Sequence, residues 1–423
     1  MDTQAITVGP APDHETFLRT DQTVWFGEVG RETPEQQLLG VPAGFRYAAQ
    51  VDGADPATYP GIYGVRPMTL SVPGTGDEVR RVPCAGLTWV GVHPDHRRRG
   101  VLTAMLRHHF ETVRDEPGWH LSALHASEPA IYGRHGYGLA SLEHSFVLGR
   151  GAKLTAPHLD AAAEAVRTTF GTASDPGIAA RVRRCWEGSA GADVGIITGE
   201  DDFYEAMCAS SEEDLRGKEP VRVLFAHVDG EDVGLAGFRR EQKWEHGRPG
   251  GDLTVFALVG GPAARLALLR RLVDFDLIGN VKVWSVGVAD PMLAWLGSPR
   301  GASEVAVYDN LWVRLVDLPK ALEARGYAAA CDVVLDVSDT SAPWNAGRWR
   351  LRVDGSGAAQ VERTEAEADL RLPVQALGAL YLGDVSPVGL VRAGLVEQAR
   401  AGAARALWHA VRTEARPAAA TGF

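Results

Sequence analysis

The sequence of 423 residues predicts an α/β protein with two tandem mixed-sheet domains, followed by a smaller α+β domain. Three observations support this prediction. The chain is too long for one ordinary domain. A strand–loop–helix–strand pattern occurs twice. The last quarter contains short strands separated by polar, Gly-rich turns and then helical segments. We predict domain limits at residues 1–150, 151–310 and 311–423.

The first domain contains the clearest βαβ pattern. A strand is predicted at Thr88–Val92, a helix at Val101–Val113 and a second strand within Trp119–Ser127. Apolar residues recur at helical spacing and form one face of the helix. His109 is the exception on that face.

The second domain repeats the pattern with a strand at Asp252–Gly260, a helix at Pro262–Asp276 and a strand at Val281–Val286. Proline suits the first turn of a helix, where its missing N–H is not needed. The connecting loop is only "GGP" and has no arginines. We interpret the two halves as a duplicated fold in which only the first copy kept a charged loop. The alternative is that two unrelated βαβ units look alike.

The third domain begins near "LPKALEARGY". Strands are predicted at Val333–Val337, Trp349–Val353, Gln360–Arg363 and Ala368–Leu372, and helices at Val374–Leu382, Pro387–Ala393 and Ala401–Val411. Turns such as "DGSGA" favour a small antiparallel sheet packed with helices. Taken alone, the final segment "RPAAATGF" predicts a disordered tail.

Composition excludes several classes of protein. With 45% hydrophobic and 23% charged residues, the chain is typical of a soluble globular protein. It has no apolar run of about 18 residues, so no membrane span is predicted. No signal peptide is visible, which favours the cytoplasm. Four scattered cysteines predict neither a disulfide framework nor a metal site. A net charge of −11 disfavours nucleic acid as a partner and favours cationic ligands.

Three adjacent arginines, Arg97, Arg98 and Arg99, precede Gly100 where the strand of the first domain gives way to its helix. Helix N-termini bind phosphates through free N–H groups, and glycine permits close approach of the backbone. Guanidinium groups add planar donors that suit phosphate oxygens. The loop therefore predicts a pyrophosphate site. A solvated turn is the structural alternative, and one basic corner on an acidic chain supports nucleic-acid binding poorly.

The pattern V-x-P-x-x-R-x-x-G, from Val92 to Gly100, resembles the acetyl-CoA loop of the GNAT N-acetyltransferases. Leu102 departs from the small residue usual in that loop. Together with "HASEPAIYGRHGYG", "LPKALEARGY" and "LGALYLGD", the loop is similar to that of the Eis (enhanced intracellular survival) family. The resemblance covers essentially the whole chain.

The resemblance implies a catalytic GNAT domain, a degenerate GNAT-like domain without cofactor and a sterol-carrier-protein-like domain. It also implies a homohexamer that transfers acetyl groups from acetyl-CoA to primary amines. The acceptors would be aminoglycosides or polyamine-like molecules, modified at several positions. A protein lysine acetyltransferase and a non-catalytic protein that binds CoA or an apolar ligand remain alternatives.

The resemblance also assigns cofactor-binding residues, none of them a metal ligand. The pantetheine arm would bind to Val90, Gly91 and Val92. The pyrophosphate would bind to Arg98, Arg99, Gly100, Val101, Leu102 and Thr103. Ser127 and Glu128 would lie near the reactive half of the cofactor, although "SEPAIYG" also fits a helix capped by Ser127 with an acidic first turn.

Two residues are assigned to proton transfer by the same resemblance. Tyr132 would donate a proton to the leaving thiolate, although packing alone would also explain both Tyr132 and Tyr137. The C-terminal carboxylate of Phe423 would accept the proton of the amine, and the Phe423 ring gives the tail an apolar anchor. An acidic residue can precede the final aromatic residue in this family, whereas this chain has Gly422.

The acceptor pocket is predicted within Thr20–Val29. Trp25 and Phe26 would line it, and Glu28 would attract an ammonium group. The alternative is that these residues form an amphipathic stretch of the core.

Overall fold

The computed structural model describes residues 5–25, 41–55, 57–210, 215, 217–419 and 421–423, with the backbone alone for Glu245. Contacts divide the chain into two compact units. The first unit comprises residues 1–140, 311–414 and 423, and the second comprises 141–310 and 415–422. Residues 311–414 thus group with the first unit. The limits 1–150, 151–310 and 311–423 remain a prediction.

The described chain contains the following strands and helices. The strands are β1 (Ile6–Pro10), β2 (Arg46–Val51), β3 (Gly61–Pro73), β4 (Val79–Val92), β5 (Leu121–Leu124), β6 (Gly138–Leu139), β7 (Leu142–Gly149), β8 (Arg167–Thr172), β9 (Ile197–Gly199), β10 (Arg222–Val228), β11 (Glu231–Glu241), β12 (Trp244–Glu245), β13 (Arg248–Pro249), β14 (Gly251–Gly260), β15 (Ile278–Gly287), β16 (Ser303–Asp309), β17 (Trp312–Leu315), β18 (Cys331–Ser338), β19 (Gly347–Val353), β20 (Ala359–Arg363), β21 (Leu370–Pro373) and β22 (Glu397–Gln398). The helices are α1 (His14–Trp25), α2 (Val101–Asp115), α3 (Pro129–Gly133), α4 (Asp160–Ala165), α5 (Ile178–Ser189), α6 (Asp201–Cys208), α7 (Pro262–Val273), α8 (Met292–Trp295), α9 (Leu318–Ala324), α10 (Val374–Leu380), α11 (Pro387–Arg392) and α12 (Ala403–Val411).

The first unit is built on a mixed sheet whose strands run in the order β1-β2-β3-β4-β5-β17-β6. Strands β4 and β5 are parallel, and α2 connects them, as the sequence predicts. Strand β17 lies between β5 and β6 and is antiparallel to both. A strand that follows residue 310 therefore completes the sheet of the first unit, which local patterns could not show.

The structure explains why a polar residue, His109, lies on the apolar face of α2. His109 is fully buried, and its Nε2 atom lies 2.8 Å from the Ser122 hydroxyl oxygen. That oxygen lies 2.8 Å from the Tyr137 hydroxyl oxygen. Burial lowers the pKa of His109 to about 3, so its ring is neutral. The hydrogen bonds allow the histidine to pack within the core.

The second unit repeats this arrangement in a sheet with the order β16-β7-β15-β14-β11-β10-β8. Strands β14 and β15 are parallel, and α7 connects them. The predicted strand–helix–strand pattern is present. The helix ends at Val273 rather than at Asp276, because Asp274 takes the C-cap conformation.

The last part of the first unit has a separate sheet with the order β20-β19-β18-β21-β22. The prediction of a fully antiparallel sheet is wrong, because β18 and β21 run parallel. The chain passes from β20 to the opposite side of β18, where it enters β21 in the direction of β18.

Two buried arginines support the packing of this part. Arg314 of β17 forms a fully buried ion pair with Asp339 at 2.6 Å. Arg325, in "LPKALEARGY", is 1% exposed and donates hydrogen bonds to the carbonyl oxygens of Gly326, Tyr381 and Val411. Buried charges need such partners, so Arg325 accounts structurally for one motif residue.

Candidate active site

Strands β4 and β5 separate partway along their length. Their parallel pairing joins Cys84 to Leu121, Ala85 to Ser122 and Gly86 to Ala123. Strand β4 then continues to Val92, and its residues 91 and 92 pair with β3 on the other side. Trp89 has a φ of +52° where the β3–β4 register shifts. This irregularity turns the end of β4 and creates an opening beside β5.

The C-terminal residue lies in this opening. A Cβ atom on Gly86 would lie 2.9 Å from the Phe423 ring. The ring centroid of His125, which follows β5, lies 5.1 Å from that of Phe423. The Thr88 hydroxyl donates a hydrogen bond of 3.2 Å to a terminal oxygen of Phe423. Phe423 is half-buried rather than exposed at a chain end. The prediction of a disordered tail, made from its composition alone, is therefore wrong for Phe423.

The arginine loop forms a concave backbone at the start of α2. Arg98 and Gly100 both have positive φ, at +60° and +88°. Gly100 is the N-cap, and the first helical hydrogen bond runs from the N–H of Ala104 to its carbonyl. The N–H groups of Val101, Leu102 and Thr103 therefore precede the helical ladder.

The charges of the loop are available to a ligand. Arg97, Arg98 and Arg99 are exposed, and none lies within ion-pair distance of an acidic side chain in the described part of the chain. Near the Cβ position of Gly100 the structure places one atom, Ile6 Cδ1, at 3.8 Å. Free cations, free N–H groups and open space match the requirements of a pyrophosphate.

The residues predicted for the pantetheine arm lie at the end of β4. Gly91 pairs with Ile62, and Val92 pairs with Gly61. A Cβ atom on Gly91 would lie 3.1 Å from Val24 of α1, so α1 packs closely on this glycine. Val90, Gly91 and Val92 thus lie beyond the point where β4 leaves β5.

Tyr132 lies on α3 and is 8% exposed. Burial, with a smaller effect of the nearby Glu128 carboxylate, raises the pKa of Tyr132 to about 12. The phenol therefore keeps its proton at neutral pH. Tyr137 is fully buried beside it, with the ring centroids 6.0 Å apart.

Ser127 and Glu128 are both exposed between β5 and α3. The N-cap of α3 is Glu128, and neither its side chain nor that of Ser127 makes a capping hydrogen bond there. Pro129 occupies the first helical position, where its missing N–H is not needed. The alternative prediction of a helix capped by Ser127 with an acidic first turn is wrong.

The predicted acceptor pocket is only partly within the described residues. Trp25 ends α1 and is 49% exposed. Phe26 and Glu28 lie outside the described residues. Leu102, the departure from the usual loop, is half-buried against the core beneath α2.

A carboxylate that the sequence analysis missed lies on α1. The Oδ1 atom of Asp21 is buried and accepts no hydrogen bond from any described group. Burial raises the pKa of Asp21 to about 6. On the same helix, the Phe17 ring lies 5.8 Å from that of Trp89, and Val24 packs on Gly91. Asp21 thus belongs to the helix that covers the end of β4.

A signal for Asp21 is present in the sequence. Phe17, Leu18, Val24 and Trp25 stand at positions i−4, i−3, i+3 and i+4 from it, so the aspartate is placed among apolar neighbours of a helix. A buried carboxylate oxygen that has no hydrogen-bond partner among the described residues needs an explanation, and a cationic ligand is one.

None of the described helices is both long and apolar enough to cross a membrane. The described residues also contain no cluster of three or more His, Cys, Asp and Glu side chains close enough to hold a metal ion.

Comparison with known families divides the chain into three segments. Residues 60–140 and 195–315 each match a family described as an acetyltransferase (GNAT) domain, and residues 318–418 match the sterol carrier protein domain. These matches confirm the predicted order of two GNAT-type modules followed by a sterol-carrier-type module.

Relatives match over most of their length. An uncharacterized N-acetyltransferase of Streptomyces avermitilis is 36% identical over 92% of this chain and 91% of its own length. The N-acetyltransferase Eis of Mycobacterium tuberculosis is 32% identical over 78% of both chains. The crystal structure of Eis1 from Mycobacterium abscessus covers 99% of this chain and 100% of its own, with 28% identity and a TM-score of 0.79.

Proposed function

The chain belongs to the Eis family of GNAT N-acetyltransferases, and from that premise we propose that it acetylates primary amines of aminoglycosides or polyamine-like molecules. The enzyme class follows from the family, and its GNAT domains imply use of acetyl-CoA. The acceptor, the number of positions modified and the residues that act are the proposal.

We assign the arginine loop and the end of β4 to the cofactor. Arg98, Arg99 and the N–H groups at the start of α2 would hold the pyrophosphate of acetyl-CoA. The backbone of Val90, Gly91 and Val92 would bind the amides of the pantetheine arm as a neighbouring strand would. Ser127 and Glu128, exposed after β5, would face its reactive half. When bound, acetyl-CoA supplies the acetyl group as an activated thioester.

The position of Phe423 is the observation that carries the proposal. Its carboxylate is held by Thr88 in the opening between β4 and β5. A carboxylate there can accept the proton of an ammonium group, directly or through a water molecule, and leave the amine free to attack. The half-buried ring keeps the carboxylate from moving through bulk solvent.

Tyr132 is proposed as the group that protonates the leaving sulfur. Its raised pKa of about 12 keeps the phenol protonated at neutral pH. A phenol is a weaker acid than a thiol, so the transfer depends on a dry, fixed geometry rather than on acidity alone. Burial of Tyr132 beside Tyr137 supplies both conditions.

The acceptor pocket is proposed to select cations. Asp21 would pair with an ammonium group of the acceptor, and Trp25, Phe26 and Glu28 would line the same pocket. Gly422 is exposed, and among the described residues, its two chain neighbours apart, no atom lies within 4 Å of where its Cβ would be. The acidic residue that can stand at this place in the family is absent, and Asp21 would supply a carboxylate instead.

Release of thiol from acetyl-CoA tests the proposal. We would mix the protein with aminoglycosides, polyamines and a lysine peptide, and locate the acetyl groups by mass spectrometry. Turnover with the first two classes supports the proposal. Turnover with the peptide alone would favour a protein lysine acetyltransferase. CoA binding without thiol release from any amine would favour a non-catalytic binding protein.

We also propose a homohexamer in the cytoplasm, the latter from the sequence alone. The resemblance suggests the hexamer, and the edge strand β16 supports association. Val307 and Tyr308 on this strand, and Trp284 on β15 beyond β7, are each more than half exposed, at 54%, 53% and 53%. Apolar edge strands are commonly covered by a partner. Sedimentation of the purified protein measures the number of chains.

A further inference from the structure

The second unit contains a cleft with the same construction as the opening beside Phe423. Parallel pairing of β14 with β15 ends at Val255 and Val283. Strand β14 continues to Gly260 against β11, while β15 turns away at Ser285, whose φ is +56°. A cavity of about 710 Å³ occupies this cleft.

The charge of this cleft does not suit a pyrophosphate. Arg265, on the first turn of α7, lines the cavity. Its guanidinium is paired with Asp290 and, at 2.7 Å, with Asp193. Two carboxylates on one arginine leave a local negative charge, which repels phosphate. Arg265 is therefore already neutralised, and it does not take over the role that the arginine loop has in the first unit.

The C-terminal tail lies along the cleft. The N–H of Ala418 donates a hydrogen bond of 2.8 Å to the carbonyl oxygen of Val194. A Cβ atom on Gly195 would lie 2.7 Å from the Ala418 carbonyl oxygen. Thr421 lines the cavity and is 8% exposed. The tail is thus bound by backbone contacts within the second unit.

On the opposite wall of the cleft, Gly287, the last residue of β15, lies close to the tail. A Cβ atom there would meet Pro417 O at 2.9 Å, Ala418 Cα at 3.1 Å and Ala419 N at 3.3 Å. All three nearest atoms belong to the tail. The backbone of Gly287 is not in the left-handed region, so alanine would be strained only by the tail itself.

We infer that the second cleft has become the socket of the C-terminal tail, and that Gly195 and Gly287 are positioning residues for the Phe423 carboxylate. This inference rests on the proposed role of that carboxylate. Five residues separate Ala418 from the chain end, so an anchored Ala418 confines the carboxylate to a radius of about 17 Å. If the tail were released, the carboxylate would move through a larger volume, and its effective concentration at the active site would fall.

The experiment compares Gly287→Ala with Gly149→Ala, a control in the same unit whose added Cβ has no atom within 4 Å. Three quantities are measured for each variant: kcat with an accepted amine, the KM for acetyl-CoA, and deuterium exchange of the C-terminal peptide. We expect Gly287→Ala to lose protection at Ala418 and to lower kcat by about a hundredfold, the cost of a misplaced catalytic group. The KM for acetyl-CoA stays within about twofold, because the arginine loop is intact.

Deletion of Phe423 separates this inference from the proposed function. The truncated protein should lose activity and keep protection at Ala418. Adding Gly287→Ala to the deletion should slow it no further, since the carboxylate is already absent. Unchanged activity on deletion would refute the role of the carboxylate. The proposal that the second cleft is a socket for the tail would be overturned by unchanged deuterium exchange in Gly287→Ala, or by a further loss of rate in the double variant.

Discussion

The Thr88 hydroxyl donates a hydrogen bond of 3.2 Å to a terminal oxygen of Phe423, across 335 residues of sequence. This contact joins the end of the chain to the strand that turns away from β5. It places a carboxylate beside the backbone proposed to bind acetyl-CoA.

One glycine added after Phe423 should lower kcat by about a hundredfold without lowering the melting temperature. The addition moves the carboxylate by about 3.5 Å, while the ring can keep its contact with Gly86. Amidation of Phe423 by peptide ligation is the matched test of charge, since it leaves the length unchanged. Initial rates of thiol release measure both forms. Full activity of either form would exclude the carboxylate as proton acceptor.

Tyr132→Phe should reduce turnover by about a hundredfold or more while affinity for CoA is retained. Because burial raises the pKa of Tyr132 to about 12, the ratio of wild-type to variant rates should stay constant from about pH 7 to about pH 10. Loss of the wild-type advantage within that range would contradict a protonated phenol.

Tyr137→Phe is the matched control for this prediction. It removes the hydrogen bond to Ser122 and should cost about 1–2 kcal/mol in the free energy of unfolding, because the buried Ser122 hydroxyl keeps only its hydrogen bond with His109. Its turnover should stay within about threefold of wild type. Equal loss of turnover in both tyrosine variants would point to packing rather than to proton donation.

Reversal of Arg98 and Arg99 to glutamate should weaken CoA binding by on the order of a hundredfold or more, because both residues would then repel the pyrophosphate. Pantetheine, which lacks the pyrophosphate, should bind wild type and variant alike. Isothermal titration compares the two ligands. Arg107→Glu, an exposed change on the outer face of α2, is the control. Retained CoA affinity in the double variant would refute the phosphate site.

Asp21→Asn should stabilise the protein and weaken acceptor binding. The folded pKa of Asp21 is about 6, above its unfolded value, so the wild type loses stability as pH rises from about 4 to about 6. The variant has no carboxylate at this position, so its stability does not fall over this pH range. It should be more stable by about 1–3 kcal/mol above pH 6 and equal to wild type at about pH 4.

The same substitution should raise the KM for a cationic amine by about tenfold at pH 7.5, since one buried charge pair is lost. Glu15→Gln removes a carboxylate from an exposed position on the same helix and should change neither quantity. Thermal unfolding across pH and steady-state kinetics provide the measurements. A stabilised variant with unchanged KM would leave Asp21 outside the acceptor pocket.

Local patterns predicted much of the fold. The helix predicted at Val101–Val113 is present at Val101–Asp115, and the strand predicted at Val333–Val337 is present at Cys331–Ser338. Apolar periodicity and glycine turns act over a few residues, so they can be recognised locally. The parallel pairing of β18 with β21 was missed, because strand direction depends on a connection that crosses the sheet.

The arginine loop could be predicted from the sequence, whereas the raised pKa of Asp21 could not. Arg98, Arg99 and Gly100 are adjacent in the chain, so their concentration of charge at a helix start is visible in the sequence. The burial of Asp21 depends on α1 packing against β4, as the contact of Val24 with Gly91 shows. Its raised pKa therefore cannot be predicted from neighbouring residues alone.

The sequence by itself determined the order of modules, the strand–loop–helix corner with its three arginines and an aromatic residue at the chain end. Only the tertiary structure decided that Phe423 lies against Gly86 and Thr88, and that residues 415–419 and Thr421 line the cleft of the second unit. The physical reason is the separation in sequence of the residues that interact. Helix starts and charge clusters form among neighbours, whereas each contact of the tail is made with residues that are far away in the sequence and come close only when the chain has folded.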